Sequence, residues 1–317
     1  IDVEVLLTIT VRFIHSATAH SFFVGKFLRS IFILRIYKGN NMNLKLSYSD
    51  LEEIIEIRHQ IHMHPEVSGK EYRTTEIIRE FLEKLEGVEI IDFPIETGLI
   101  ARLKTGKAGK VIGLRADIDA LAQKEETDIS YRSREENIMH ACGHDYHTAS
   151  LLAVAKLLSE NRDKLSGDIV FIFQRSEEIT RGAKEYVDKG LFDKVKIDRV
   201  LGFHNWPEVD FGKAIIKKGS LMSAKVNFKI DIFGKGQHGS MPHLNIDPIV
   251  CASNIVMALQ TIISRNTNPF DSIVLSVNSI NGGSEDNLVV DKPHLSATIR
   301  SLSEENLERA IERMEAI

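Results

Sequence analysis

The sequence predicts an α/β fold, with a mainly parallel sheet flanked by helices and followed by a smaller α+β region, and three observations carry that expectation. Between residues 98 and 203, short apolar runs alternate with helical patterns, as in a chain that returns repeatedly to one sheet. The runs are near-continuously apolar, which fits strands covered on both faces. From Gly219 onward, apolar residues instead fall at every second position, as in SAKVNFKIDIFG over 223–234, the mark of strands with one wet face.

Taken in order, residues 1–41 are rich in Ile, Phe, Leu and Val, but Arg12, Lys26, Arg29 and Arg35 interrupt every apolar run, so none is long enough to span a bilayer. The segment opens on Ile1, Asp2 and Glu4, unlike a secretory signal with its basic start. It reads as an appended segment ahead of a natural start at Met42, with a basic organelle presequence as the rival reading. An amphipathic helix over 50–63 follows, with Ser49 or Asp50 as cap and Leu51, Ile54, Ile55, Ile57 and Ile61 as its apolar positions. A second helical stretch covers 71–86.

Strands are expected over 98–103, 111–115, 168–173 and 199–203, with an apolar helix over 147–160 and a shorter one over 182–190 closed by Gly190. The second region reads as a strand over 223–234, a helix over 247–264, strands over 272–280 and 294–302, and a helix begun by Ser303. This βαββα order lacks one strand of the split βαβ, ferredoxin-like unit. The chain stops at Ile317 inside that helix, which reads as a truncated C-terminus. The expected divisions are therefore 1–41, 42–217 and 218–317, the second and third both incomplete.

Composition narrows the class. The 317 residues are 43% hydrophobic and 27% charged, proportions that argue for a globular chain and against disorder or a coiled coil. With 40 Lys and Arg against 45 Asp and Glu, the formal charge of -5 provides no global basic field for nucleic acid or an anionic membrane. Two cysteines, Cys142 and Cys251, without paired spacing make no disulfide framework, which points to a reducing, cytoplasmic setting. Cys251 reads as a packed small hydrophobe.

The reactive residues cluster where the apolar strands end. Asp117 and Asp119 follow VIGLR, Glu177 and Glu178 follow DIVFIFQ, His204 closes RVLGF, and Cys142 and His144 stand before the helix at 147. In an open parallel sheet, ligands bind at the carboxyl ends of the strands, so these segments are expected in one crevice. Thiolate, imidazole and carboxylate together suit a borderline-soft divalent ion such as zinc, with manganese or cobalt possible. Of two adjacent carboxylates, one can bind metal while the other takes a proton from a water acidified by it. Each residue alone has a plainer reading: a buried Cys as a small hydrophobe, Asp145 as a helix N-cap, the Glu pair as solvated surface, His204 as a core histidine. Convergence raises them together. No G-x-S-x-G, Walker lysine loop, G-x-G-x-x-G after a strand, or P-C-x-x-C competes.

The blocks LRADIDAL (114–121), MHACGHDYHTA (139–149), FQRSEE (173–178), GFHNWP (202–207), GKGQHGSMPHLNIDPI (234–249), ISRNTNP (263–269) and a strand ending TIRS resemble the amidohydrolase branch of the aminoacylase and carboxypeptidase family. That branch includes N-acyl-amino-acid amidohydrolases, hippurate hydrolases and plant hydrolases of indoleacetyl-amino acids. The resemblance runs over about residues 50–317 and implies a dizinc-exopeptidase-like catalytic domain with an inserted ferredoxin-like lid that dimerises. It implies two divalent metal ions per complete subunit, held by Cys142, His144, Glu178 and His204, with Glu177 as general base acting on a metal-activated water. Asp117, Asp119 and Asp145 are implied to stand behind the ligands, orienting them, and His238, Asn287 and Arg300 to contact substrate. His140, His147 and His243 lie in matching blocks without an assigned role.

Three blocks depart from the family pattern: QPAEE reads QRSEE, DALP reads DALA, and N-V-I-P-D reads NLVVD, which loosens turns without deleting a ligand. The family's last metal-binding histidine lies in a returning C-terminal part with no counterpart here, so one metal is expected to be under-coordinated. The expected activity is hydrolysis of the amide of an N-acyl amino acid by a homodimer paired through the lid. A dipeptidase or aminocarboxypeptidase on the same fold is one alternative, and an inactive remnant with a dimerising lid is the other.

Overall fold

Ser47 opens the first helix, α1 (Tyr48–Met63), through a capping box: its hydroxyl accepts from the Asp50 amide at 3.1 Å, and the Asp50 carboxylate accepts from the Ser47 amide at 3.2 Å. The cap is thus Ser47 rather than Ser49 or Asp50, because Asp50 works from the third helical position back onto the cap. This computed structural model describes residues 45–210 and 212–317, with a two-residue antiparallel pairing of Thr8–Ile9 and Leu34–Arg35 before them. The expectations of an appended segment over 1–41, a start at Met42 and a presequence lie outside the described residues. The chain divides into two compact units, Ile1–Ala214 and Ile215–Ile317.

In the first unit, α2 (Tyr72–Leu82) takes no cap from its own Glu71; the carboxylate of Glu66 accepts from the amides of Arg73 at 3.0 Å and Thr74 at 2.8 Å. The strands are β1 (Val88–Ile90), β2 (Leu99–Leu103), β3 (Ile112–Asp117), β4 (Ile169–Gln174) and β5 (Arg199–Gly202), in the sheet order β1-β2-β4-β3-β5. β3 is parallel to both β4 and β5, whereas β2 is antiparallel to both β1 and β4. The sheet is therefore mixed, not mainly parallel. Apolar runs report burial on both faces, and β2 and β4 are buried almost throughout whichever way they run, so direction was not legible in them.

Alternate residues of β4 serve opposite faces. Phe171 and Phe173 join Ile78, Phe81, Leu82, Leu152 and Ala155 under α2 and the long helix α3 (His144–Glu160). Val170 and Ile172 meet Ile100, Tyr186, Leu191 and Val195 under α4 (Gly182–Asp188) and α5 (Leu191–Val195). Gly190, at φ 76°, ends one of these short helices and starts the next, in a conformation that costs glycine little. β5 departs from the expected double cover: among the described residues it pairs with β3 alone, and all four of its residues are exposed.

The second unit runs β6 (Ala224–Asp231), α6 (Pro248–Asn266), β7 (Ile273–Asn281), β8 (His294–Ser301) and α7 (Glu304–Glu315), with an antiparallel sheet in the order β6-β8-β7. Leu259 and Ile262 of α6 and Leu307 and Ala310 of α7 pack on Ile273, Leu275 and Ile299. By length and composition α6 could cross a bilayer. Here it is a sheet-packing helix capped by Asp247, whose carboxylate accepts from the Ile249 amide at 2.9 Å. Cys251 is exposed, not packed, because it falls off the buried stripe through Ala252, Leu259 and Ile262.

Candidate metal centre

The mutually parallel β3, β4 and β5 deliver their carboxyl ends to one pole, and the residues that follow them meet the start of α3 there. Gly143 makes the junction. It stands at φ 80° as the N-cap of α3, and a Cβ on it would lie 2.6 Å from the Asn205 side chain. Its neighbour Cys142 consequently places Sγ 3.3 Å from His204 Nε2.

His144 is fully buried. Its Nδ1 lies 2.9 Å from the Asp119 carbonyl oxygen and donates to it, which fixes the ring and leaves Nε2 as the free nitrogen. That Nε2 lies 3.6 Å from Asp117 Oδ2, 3.7 Å from Glu178 Oε1 and 3.9 Å from Glu177 Oε2, too far for a hydrogen bond to any of them. Among the described residues, neither His144 Nε2 nor Glu178 Oε1, both buried, has a hydrogen-bond partner. Buried polar atoms are nearly always paired, so a nitrogen lone pair and a carboxylate oxygen facing one another across such a gap fit a cation. Burial disfavours a proton on His144, yet the hydrogen bond to Asp119, the adjacent Cys142 thiol and the charges of Asp117 and Asp119 outweigh it and push its pKa up to about 11, so a cation would have to displace a proton to reach the Nε2 lone pair.

Among the described residues, three donor sets have their ligand atoms within 4.8 Å of one another: Cys142, His144 and His204; Asp117, His144 and His147; and His144, Glu177 and Glu178. His144 is common to all. The neighbouring His144 imidazole and then the hydrogen bond to His204 lower the Cys142 pKa, favouring the thiolate that a metal requires. His204 Nδ1 donates to the Asn205 carbonyl oxygen at 2.6 Å, so its Nε2 points at Cys142 with a lone pair. Glu178 is 18% exposed against 39% for Glu177, and burial raises the Glu178 pKa. The more open Glu177 is the one free to reach a solvent or substrate atom.

Behind this ring, Asp117 accepts from Arg115 Nη1 at 2.7 Å and His147 Nδ1 at 2.6 Å. Asn205 meets His147 Nε2 twice, with its backbone amide at 3.0 Å and with its side-chain oxygen. Asp119 accepts from Ser68 Oγ at 2.6 Å and the Glu178 amide at 3.0 Å. Asp145 is placed differently from the expectation. It does not cap α3, where Gly143 holds the cap position; it accepts from Arg58 Nε at 2.7 Å and His62 Nδ1 at 2.9 Å, tying the first turn of α3 to α1.

Sequence reasoning passed over Arg115, His147 and Asn205. His147 lies one turn beyond His144 on α3, a spacing that puts both on one face, and Asn205 follows His204 directly. His140 is buried with neither nitrogen partnered. His238, Asn287 and Arg300 all belong to the second unit. Ser240 donates to His238 Nδ1 from its amide at 3.2 Å, the Asn287 carbonyl oxygen accepts from the Gly239 amide at 2.8 Å, and Arg300 lies on β8 opposite Lys225. His243 is exposed in a short 3-10 turn, Pro242–Leu244.

A profile of Peptidase family M20/M25/M40 matches residues 113–315. The chain is 42% identical over 281 residues to the N-acetyl-L-cysteine deacetylase of Bacillus subtilis (strain 168), covering 88% of this chain and 66% of that one. It is 41% identical over 265 residues to the hippurate hydrolase of Campylobacter jejuni, covering 83% and 68%. It thus spans about two thirds of the length of these curated relatives. Among solved structures, the Bacillus subtilis YxeP protein, a dinuclear metal-binding peptidase of the M20 family, superposes with a TM-score of 0.71 at 36% identity, covering 84% of this chain and 69% of that chain.

Proposed function

Because the chain belongs to peptidase family M20/M25/M40, we propose that it hydrolyses the amide bond of N-acyl amino acids with the aid of two divalent cations per complete subunit, zinc or manganese, with cobalt able to substitute. The observation that carries the reading is the pair of buried, unpartnered atoms, His144 Nε2 and Glu178 Oε1, at the centre of a thiol, imidazole and carboxylate set. Cys142, His144, Glu178 and His204 hold the ions. Cations in this position supply Lewis acidity, which lowers the pKa of water and polarises a carbonyl oxygen.

The chain's own residues do the rest. Glu177, adjoining the ligand Glu178 but more exposed, accepts the proton of the attacking water and returns it to the leaving amine. Asp119 and Asp117 fix the orientation of His144 and His147. His238, Asn287 and Arg300 contact substrate, the guanidinium of Arg300 matching a free carboxylate. The protein acts as a homodimer through its second unit, in the cytoplasm, where two unpaired cysteines are at home.

The test is amine release from N-acetyl and N-benzoyl amino acids by the chelator-stripped chain, before and after addition of zinc, manganese or cobalt. Release that depends on cation supports the reading. Release from free dipeptides but from no N-acyl amino acid overturns the substrate class.

A further inference from the structure

The Glu177–Glu178 pair sits on a turn that its own sequence does not favour. Ser176 at φ 54° and Thr180 at φ 57° flank it, both in the left-handed region that side-chain-bearing residues seldom adopt. Such a turn persists only where its surroundings hold it. One anchor is Asp119, on the Glu178 amide. Within the turn, the Ser176 carbonyl oxygen accepts from the Gly182 amide at 3.1 Å; a further anchor from outside it is Glu71, at the threshold of α2 and far away in sequence. Glu71 is 0% exposed. Its Oε1 accepts from the Ser176 amide at 2.9 Å, from Ser176 Oγ at 3.4 Å and from the Gly69 amide at 2.9 Å, and its Oε2 accepts from Thr97 Oγ1 at 2.6 Å. A carboxylate so deeply buried is expensive unless fully bonded, and two of its bonds fall on the strained residue just before Glu177.

From this juxtaposition we infer that Glu71 is a positioning residue for the active carboxylates: it clamps Ser176 and thereby aims Glu177 and Glu178. The inference rests on the proposed ligand role of Glu178. The segment 68–71 then grips the site twice, since Ser68 holds the Asp119 carboxylate and Glu71 holds the turn. Geometry also separates clamp from charge. Glutamine at 71 keeps one carbonyl oxygen for both amides, while its amide group donates to Thr97 Oγ1, whose hydroxyl can turn to accept. Methionine at 71 fills similar space and accepts nothing.

The experiment titrates zinc alone into the chelator-stripped full chain and compares variants by dissociation constant. Glu71→Met is expected to weaken zinc binding about ten- to a hundredfold, the range for residues that orient ligands. Glu71→Gln is expected to stay within about threefold of the parent, because the clamp survives. Adding Ser176→Gly to Glu71→Met removes the need to force a side chain into positive φ and is expected to recover part of the loss. Parental affinity in a folded Glu71→Met variant overturns the inference, as does equal weakening by Met and Gln with no recovery from Ser176→Gly. Glu178→Gln separates the two levels: no weakening there sinks the ligand assignment and the inference with it, whereas weakening there beside parental affinity in Glu71→Met sinks the inference alone. If Glu71→Met does not fold, amide exchange in the parent chain decides, with a protected Ser176 amide expected and exchange at the rate of an open loop overturning the clamp.

Discussion

Asp119 bridges His144 and Glu178: one carboxylate oxygen lies 3.3 Å from His144 Nδ1 and the other accepts the Glu178 amide at 3.0 Å. A helix start and a strand-end turn are thereby referred to a single rigid group, itself fully buried. This relationship makes the two glutamates distinguishable by substitution. In a catalytically competent preparation, Glu177→Gln should leave metal content nearly intact and lower turnover about a hundredfold or more, the scale of lost general-base catalysis. Glu178→Gln should lower metal content instead. Elemental analysis beside turnover checks both, and exchanged phenotypes would reverse the assignment.

Of the two cysteines, only Cys142 should respond to chelation. Cys142 faces His204 with a lowered pKa, so a bound metal masks it and alkylation becomes fast only after the metal is stripped. Cys251 is exposed on α6 and should label readily with or without chelator. Mapping the alkylated peptides in both conditions checks this, and equal labelling of Cys142 in the two removes it from the metal centre.

Asp145 carries a stability prediction. Burial would raise its pKa, but the hydrogen bond from His62 and the charges of Arg58 and His62 hold it well below the usual carboxylate range. Asp145→Asn should cost about 3 kcal/mol or more, because it leaves Arg58 and His62 facing a neutral amide in a buried site. Denaturant unfolding of the two proteins measures it.

The partner histidine adds a pH dependence of definite sign. Burial lowers the His62 pKa, but bonds to Asp145 and Glu125 outweigh it, and the net shift is upward. A raised folded-state pKa stabilises fully below the unfolded value of about 6.5 and is lost as pH rises through the folded value. The stability difference between parent and His62→Gln should therefore be larger near about pH 6 than near about pH 9. Melting curves at the two values check it, and a difference that grows toward alkaline pH would contradict it.

Gly143→Ala should destabilise by about 1–3 kcal/mol, from positive φ and from the Asn205 clash together. Adding Asn205→Gly should relieve only the clash. Full recovery in the double variant would show that φ at position 143 contributes nothing.

Much of the centre was legible because its chemistry is local in sequence: Cys142 and His144 around a glycine, two adjacent glutamates after a buried run, a histidine closing another. The helices and strands of the second unit were legible from alternation and from Asp247 and Ser303 as caps. What escaped depended on partners distant in sequence. Strand direction in β2 is set by pairing, not by pattern. Asp145 resembles a cap until Arg58 and His62 arrive from α1. Glu71 carries no motif at all, since its meaning lies entirely in the backbone of Ser176.

The strand order also sets a timetable. β3 takes both of its neighbours, β4 and β5, from later in the chain. During synthesis from the N-terminus, Asp117 and Asp119 emerge long before the segments that will face them, while only the local β1–β2 pairing can form early. Loop closure must be paid before such distant parallel contacts reward it. His204 therefore reaches Cys142 only once β5 docks, so the thiol-bearing set is the last of the three to be completed, while the sets built on Asp117, His147, Glu177 and Glu178 wait only for α3 and β4.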